Sequence, residues 1–276
     1  MNSAEMQRKI LSAMGAKWAE RPFVPSVTNY VTAGFVADCQ LAAGCSAAML
    51  NLPDEACEAA AMCSAFYVNL GTVVPVYEKT IPAVCEKLSE LGKPWALDPV
   101  AAGLGETRTK LLLGLKKHKP SIIRGNASEI INLARLWELR DGDFSCGMVD
   151  SSNAAEDAVD SAVLLARYTG GAAAVSGSID YVTDGIVTAA SYGGSPLMGR
   201  GTGYGCALGG IAAFCLAFAE PFTAALCAVN AFNYAGKRAE KKCAGTGSFR
   251  SAFIDELFCM TAEKIAHNPF EIAECQ

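Results

Sequence analysis

Hydrophobic positions recur along this chain in two alternating rhythms. Met6, Ile10, Leu11 and Met14 fall at helical intervals within residues 3–18, with Lys9, Lys17 and Glu20 elsewhere, so an amphipathic helix is predicted there. Pro22 and Pro25 end it, and residues 24–28 read as a short strand. A loop over 29–34 leads into an apolar helix over 35–43, closed by Gly44. The pattern then predicts strand 46–50, helix 54–63, strand 66–70, helix 75–91, strand 94–98 and helix 106–117. Strand 122–124 follows, and Gly125-Asn126 introduces a helix over 127–138.

Residues 139–152 read as a surface excursion rather than a linker between domains. Asn153 is predicted to cap a helix running to residue 168, and strand 172–176 returns to the sheet. Asp184-Gly185 is a hairpin turn signal between strands 180–183 and 185–192. After a glycine-rich stretch at 199–206 come two apolar helices and a last helix over 249–267.

This beat of strand, loop and helix predicts an α/β fold. The expected arrangement is a three-layer α/β/α stack with a mostly parallel central sheet, built as a single domain over residues 1–276. Such sheets bind ligands beyond the carboxyl ends of their strands. Asn29, Met49, Asn69, Asp98 and Arg124 all fall at or just past a predicted strand end.

Composition narrows the picture further. In 276 residues, 51% are hydrophobic and 18% charged, which suits a compact core. A net charge of −5 gives no electrostatic footprint for nucleic acid, and the short basic run 116–119 reads as a solvated helix end. Twelve cysteines are scattered without CxxC spacing. Cys45, Cys63, Cys215 and Cys227 sit among Ala, Val and Leu as small core residues, so a reducing cytoplasm is expected. With only His118 and His267, a histidine-based zinc site or Ser-His-Asp triad is disfavoured. The uncharged run 201–219 is of marginal length for a membrane span, but its glycine opening shortens the helix, so buried core helices are predicted instead.

Candidate chemistry centres on Gly199-Arg200-Gly201-Thr202-Gly203-Tyr204-Gly205-Cys206. Alternating glycines permit tight backbone paths, and the apolar run behind them has helix length. The first amides of such a helix are unpaired and attract anions, which makes the amides of Gly203, Tyr204 and Gly205 a candidate anion hole. Cys206 in that field is expected to have a lowered pKa. The same glycines also fit a turn that merely lets a buried helix pack tightly. Asn126-Ala127-Ser128-Glu129 is a capping-box pattern, but Glu129 beside Arg124 also suits a magnesium site, because Mg²⁺ needs few carboxylates. Asp98-Pro99 and Ser176-Gly177 read either as turns or as a metal carboxylate and a phosphate-touching hydroxyl.

Together these stretches resemble the hydroxyethylthiazole kinase family of the ribokinase-like superfamily. The resemblance rests on 27–32 (Val-Thr-Asn-Tyr-Val-Thr), Asn69-Leu70-Gly71-Thr72, Leu97-Asp98-Pro99-Val100, Arg124-Gly125-Asn126-Ala127-Ser128-Glu129, 180–185 and Thr202-Gly203-Tyr204-Gly205-Cys206. Gly247-Ser248-Phe249 fits the family's C-terminal helix. The resemblance implies a ribokinase-like fold and ATP-dependent phosphorylation of 4-methyl-5-(2-hydroxyethyl)thiazole with Mg²⁺, a step of thiamine salvage. By position it implies ATP contacts at Arg124 and Ser176, thiazole contacts at Met49 and Gly203, with Asn29 alongside, and a catalytic Cys206. It implies metal-side roles for Glu129 and Asp98, and a homotrimer with active sites at subunit interfaces. Pro25, Gly34, Ala47, Gly193-Gly194-Ser195 and Tyr204 depart from the family pattern, and Tyr204 is expected to wall or narrow the pocket. These departures leave open a same-fold kinase of another small alcohol, or a non-catalytic thiazole-binding relative.

Overall fold

A computed structural model of the chain describes residues 2–15, 21–141 and 155–275. Helix α1 (Ser3–Gly15) precedes strand β1 (Phe23–Val27), and α2 (Ala33–Ala42), β2 (Ser46–Met49), α3 (Pro53–Met62) and β3 (Phe66–Asn69) follow. The alternation continues with α4 (Tyr77–Glu90), β4 (Trp95–Asp98), α5 (Glu106–Leu115), β5 (Ile122–Asn126) and α6 (Ala127–Leu136). Next come α7 (Val159–Thr169), β6 (Ala172–Ser176), β7 (Asp180–Thr183) and β8 (Val187–Ser191). The chain closes with α8 (Tyr204–Leu216), α9 (Pro221–Glu240), α10 (Thr246–Phe258), α11 (Ala262–Ala266) and β9 (Phe270–Glu274). The predicted cap at Asn153 and most of the 139–152 excursion lie outside the described residues.

Among the described residues nine strands form one sheet in the order β2-β1-β3-β4-β5-β6-β7-β8-β9. Pairings from β2 through β6 are parallel, and those from β6 through β9 are antiparallel. Side chains alternate across the sheet with period two, which splits the core into two layers. Tyr67 packs with α2 and α8–α10 on one face, while Phe66 and Val68 pack with α3–α7 on the other. The expected three-layer α/β/α stack is therefore present. Helix α8 is apolar all round, as a helix buried against the sheet must be, and it crosses strands β3, β4 and β5.

Three details differ from the sequence expectation. Strand β5 runs on to Asn126, so Arg124 sits within it rather than at its end. The last predicted helix is broken: Thr261 accepts the Lys264 N–H and starts α11 afresh. Beyond Asn268-Pro269, where helix is disfavoured, β9 adds an unpredicted edge strand against β8.

The strand order also fixes where a ligand can enter. The chain leaves β1 for β2 on one side, then returns to β3 on the other, so connections diverge between β1 and β3. A crevice at that divergence, outside the strand ends, is the usual ligand site of open α/β sheets.

Candidate active site

Residues at the crevice are joined by hydrogen bonds across five strands, β1 and β3 to β6. Asn29, just past β1, donates from Nδ2 to Asn69 Oδ1 at 2.9 Å and to Cys206 Sγ at 3.4 Å. Its own Oδ1 accepts the Thr32 N–H, which fixes the loop entering α2. Asn69 Nδ2 donates to the Tyr67 hydroxyl at 2.9 Å, and that hydroxyl donates to Asp98 Oδ2 at 3.1 Å. Arg124 Nη1 reaches the same Oδ2 at 3.3 Å. Its Nε and Nη2 both donate to Ser176 Oγ, at 3.2 and 2.8 Å, so β5 and β6 are tied together beside the crevice.

The glycine loop meets this network from above. Gly203 has φ +96°, a conformation side chains rarely adopt, and a Cβ there would press on Thr32 and Phe35 at 3.1 Å. No side chain caps α8, whose first internal bond runs from the Ala207 N–H to Gly203 O. The amides of Tyr204, Gly205 and Cys206 thus head the helix without helical partners. A Cβ on Gly205 would lie 2.5 Å from Arg124 Nη1, so only glycine lets the guanidinium lie against that helix end. The unpartnered amides and the arginine therefore converge on one place.

Beside them opens a cavity of about 580 Å³, lined in part by Arg124, Ser176, Asp180, Gly205, Phe232 and Asn233. That volume is in the range of small-ligand sites. Asp180 Oδ1 accepts the Gly177 N–H at 2.9 Å and holds the turn after Ser176. Gly193 and Gly194 have φ +141° and +73°, and their turn lies against Asn233 of α9.

Charge is unevenly compensated here. Burial raises the Asp98 pKa to about 6, although Arg124 pulls it down. Burial likewise pushes Asp180 up to about 6. For Arg124 burial opposes the charge, but Asp98 and Glu129 outweigh it and raise the pKa. Cys206 corrects the expectation of a lowered thiol pKa: burial first, then Asp98, pushes it up. The helix end does not overcome that desolvation.

A divalent cation fits this donor set. Asp98 Oδ1 is buried and has no hydrogen-bond partner, while its sister oxygen has two. Glu129 forms the predicted capping box, accepting the Asn126 N–H at 2.8 Å and the Ala101 N–H at 3.1 Å, and these bonds fix its carboxylate near Asp98. Among the described residues no cluster of three or more His, Cys, Asp or Glu could hold a metal by itself. Magnesium does not need one, since it keeps waters and takes ligands from substrate phosphates.

A model of the hydroxyethylthiazole kinase family matches residues 16–263. The chain belongs to that family. A hydroxyethylthiazole kinase of Bifidobacterium longum (strain DJO10A) is 44% identical over 267 residues, covering 90% of this chain and 85% of the relative. One of Escherichia coli O6:K15:H31 is 39% identical, covering 88% and 90%. The solved hydroxyethylthiazole kinase structure from Pyrococcus horikoshii OT3 superposes with a TM-score of 0.84 at 29% identity, covering 98% of this chain and all of that one. A ribokinase-like superfamily protein of Enterococcus faecalis V583, at 10% identity and a TM-score of 0.62, shares the fold.

Within this hydroxyethylthiazole kinase fold, Asn29, Asp98, Arg124, Ser176, Gly203, Gly205 and Cys206 come together, and Glu129 stands beside them. Met49 does not join their hydrogen bonds: it ends the edge strand β2, half-buried, in register with Ser26 of β1. Tyr204 is among the residues that line the cavity, as expected, but little of it is open to solvent. Its ring is 5% exposed and packs edge-on against Phe35 and Phe253, anchoring α8 to α2 and α10. Tyr67, Asp180 and Asn233 were not singled out from the sequence. Asp180 and Asn233 carry a signal nonetheless, as polar residues within apolar runs. Among the described residues no helix is long and apolar enough to cross a membrane, and every described cysteine is a free thiol.

Proposed function

We propose that this kinase, as a single domain, transfers the γ-phosphoryl group of ATP to the primary alcohol of 4-methyl-5-(2-hydroxyethyl)thiazole, the step that salvages the thiazole of thiamine. The observation that carries the reading is the convergence of Arg124 on the α8 amides, with Ser176 and Cys206 alongside. Negative charge gathers on the peripheral oxygens during such a transfer, so catalysis is mostly positioning and electrostatic stabilisation. The Gly203–Cys206 backbone offers N–H donors to those oxygens. Arg124 and Ser176 bind the nucleotide phosphates. Asp98, with Glu129 through water, would hold Mg²⁺, which supplies neutralisation of phosphate charge when bound.

Cys206 sits where the attacking hydroxyl would be oriented, with its thiol fixed by Asn29. Its raised pKa makes it a weak base, and a loose transition state asks little of one. Met49, beside β1, and Gly203 form the thiazole side of this assignment. The half-exposed edge strand β2, with Tyr30 and Val31 exposed just past β1 and Leu52 just past β2, supports a homotrimer that covers this rim. The test is a coupled assay for ADP release with and without the thiazole alcohol. Release that depends on the alcohol is expected, and tight thiazole binding without any ADP release would overturn the assignment.

A further inference from the structure

Strand β3 places a phenol oxygen in the middle of a parallel sheet. Tyr67 lies on the same face as Asn69, because side chains two apart share a face. It is fully buried between the sheet and α8. Helix α8 comes this close only because residue 209 is glycine: a Cβ there would lie 2.5 Å from Tyr67 Cε2 and 2.6 Å from the hydroxyl. A phenylalanine would fill the same apolar space without an oxygen to satisfy. The oxygen present is instead fully used, taking one hydrogen bond from Asn69 and giving one to Asp98 Oδ2.

Each of these bonds ends on a group of the transfer site. Asp98 has one oxygen held by Tyr67 and Arg124 and the other buried without a partner. Asn69 passes to Asn29, which touches Cys206. We propose that the Tyr67 phenol is a positioning group: it fixes the Asp98 carboxylate so that Oδ1 stays free for a nucleotide-bound divalent cation, and through Asn69 and Asn29 it sets the place of the Cys206 thiol. This rests on the kinase reading of the site. The phenol touches neither substrate nor thiol and acts through its neighbours.

The test is Tyr67→Phe, which keeps the ring and removes only the oxygen. ATP affinity is measured by calorimetry in Mg²⁺ and in EDTA, on wild type and variant alike. The gain in affinity conferred by Mg²⁺ is expected to shrink about tenfold, the scale of one lost hydrogen bond to a charged group, while metal-free ATP binding stays within twofold. A merely structural role would weaken both equally or neither. A Mg²⁺ gain unchanged within twofold in a folded Y67F protein overturns the proposal. Gly209→Ala is the second route, because its methyl must displace the phenol oxygen while favouring the helix, and it is expected to give the same selective loss. Should the wild-type protein itself show no Mg²⁺ gain, the cation reading of Asp98 falls, and this proposal with it; a normal wild-type gain with an unaltered variant removes the role of Tyr67 alone.

Discussion

Cys206 and Arg124 both lie at the α8 N-terminus, but their surroundings differ. The thiol is pushed up by burial and takes a hydrogen bond from the neutral Asn29 amide, so on the proposed mechanism its removal takes away orientation and weak base assistance. Cys206→Ala is therefore expected to lower kcat by about tenfold to a hundredfold, below the full range of general-base catalysis, with KM for ATP little changed. Arg124 is different, because Asp98 shares its buried site. Truncation to Ala strands that carboxylate, at a cost on the order of 3–5 kcal/mol in stability, so Arg124→Lys is the cleaner probe. Lysine keeps the charge but cannot bond Ser176 Oγ twice. Steady-state kinetics of R124K, and of Glu129→Ala, are expected to show KM for ATP raised about ten- to a hundredfold with a smaller change in kcat. Equal collapse of kcat in all three folded variants would refute the division.

At the scale of elements, the site depends on how closely α8 approaches β5. Gly205→Ala places a methyl 2.5 Å from the Arg124 guanidinium, and a planar group held by Asp98 and Ser176 has little room to retreat. Its expected signature is a KM for ATP raised at least about tenfold, with a thermal midpoint near wild type because Ala favours helix over Gly. A G205A enzyme with unchanged KM would show that the arginine moves freely. This glycine stood out in the sequence because it falls in an alternating glycine loop ahead of an apolar run, a pattern that suits either a close backbone approach or a packing turn. Asp98 and Asn69 were legible as polar residues closing apolar strands. Tyr67 was not, since a tyrosine in a strand reads as ordinary core, and its partner Asp98 lies 31 positions away. Strand β9 was hidden for a related reason: only its pairing with β8 separates a five-residue alternation from a tail. Cys206 misled because a helix end is visible in the sequence and burial is not.

For the molecule as a whole, buried carboxylates set how stability responds to pH. Asp180 is held between the Gly177 N–H and Asn233. Burial nevertheless dominates and lifts its pKa from 3.8 to about 6, and Asp98 moves the same way. The folded protein then binds protons that the unfolded chain has already released. The stabilisation this gives is fully present below about pH 4 and is lost as pH rises through about 6. A shift of that size corresponds to roughly 3 kcal/mol for Asp180, as an upper estimate. His118, whose pKa is lowered chiefly by burial, acts in the opposite sense over part of this window, so the wild-type curve alone does not isolate the carboxylate. Asp180→Asn does, because it removes one titrating group and leaves the other two. Urea unfolding at pH 5 and pH 7 is expected to show wild type losing stability relative to D180N on going to the higher pH, by about 1–2 kcal/mol within this narrower interval. Parallel pH dependence in the two proteins would mean that Asp180 keeps an ordinary carboxylate pKa, its two hydrogen-bond partners fully offsetting burial. The turn bearing Ser176 would then rest on an ionised Asp180 throughout the working range.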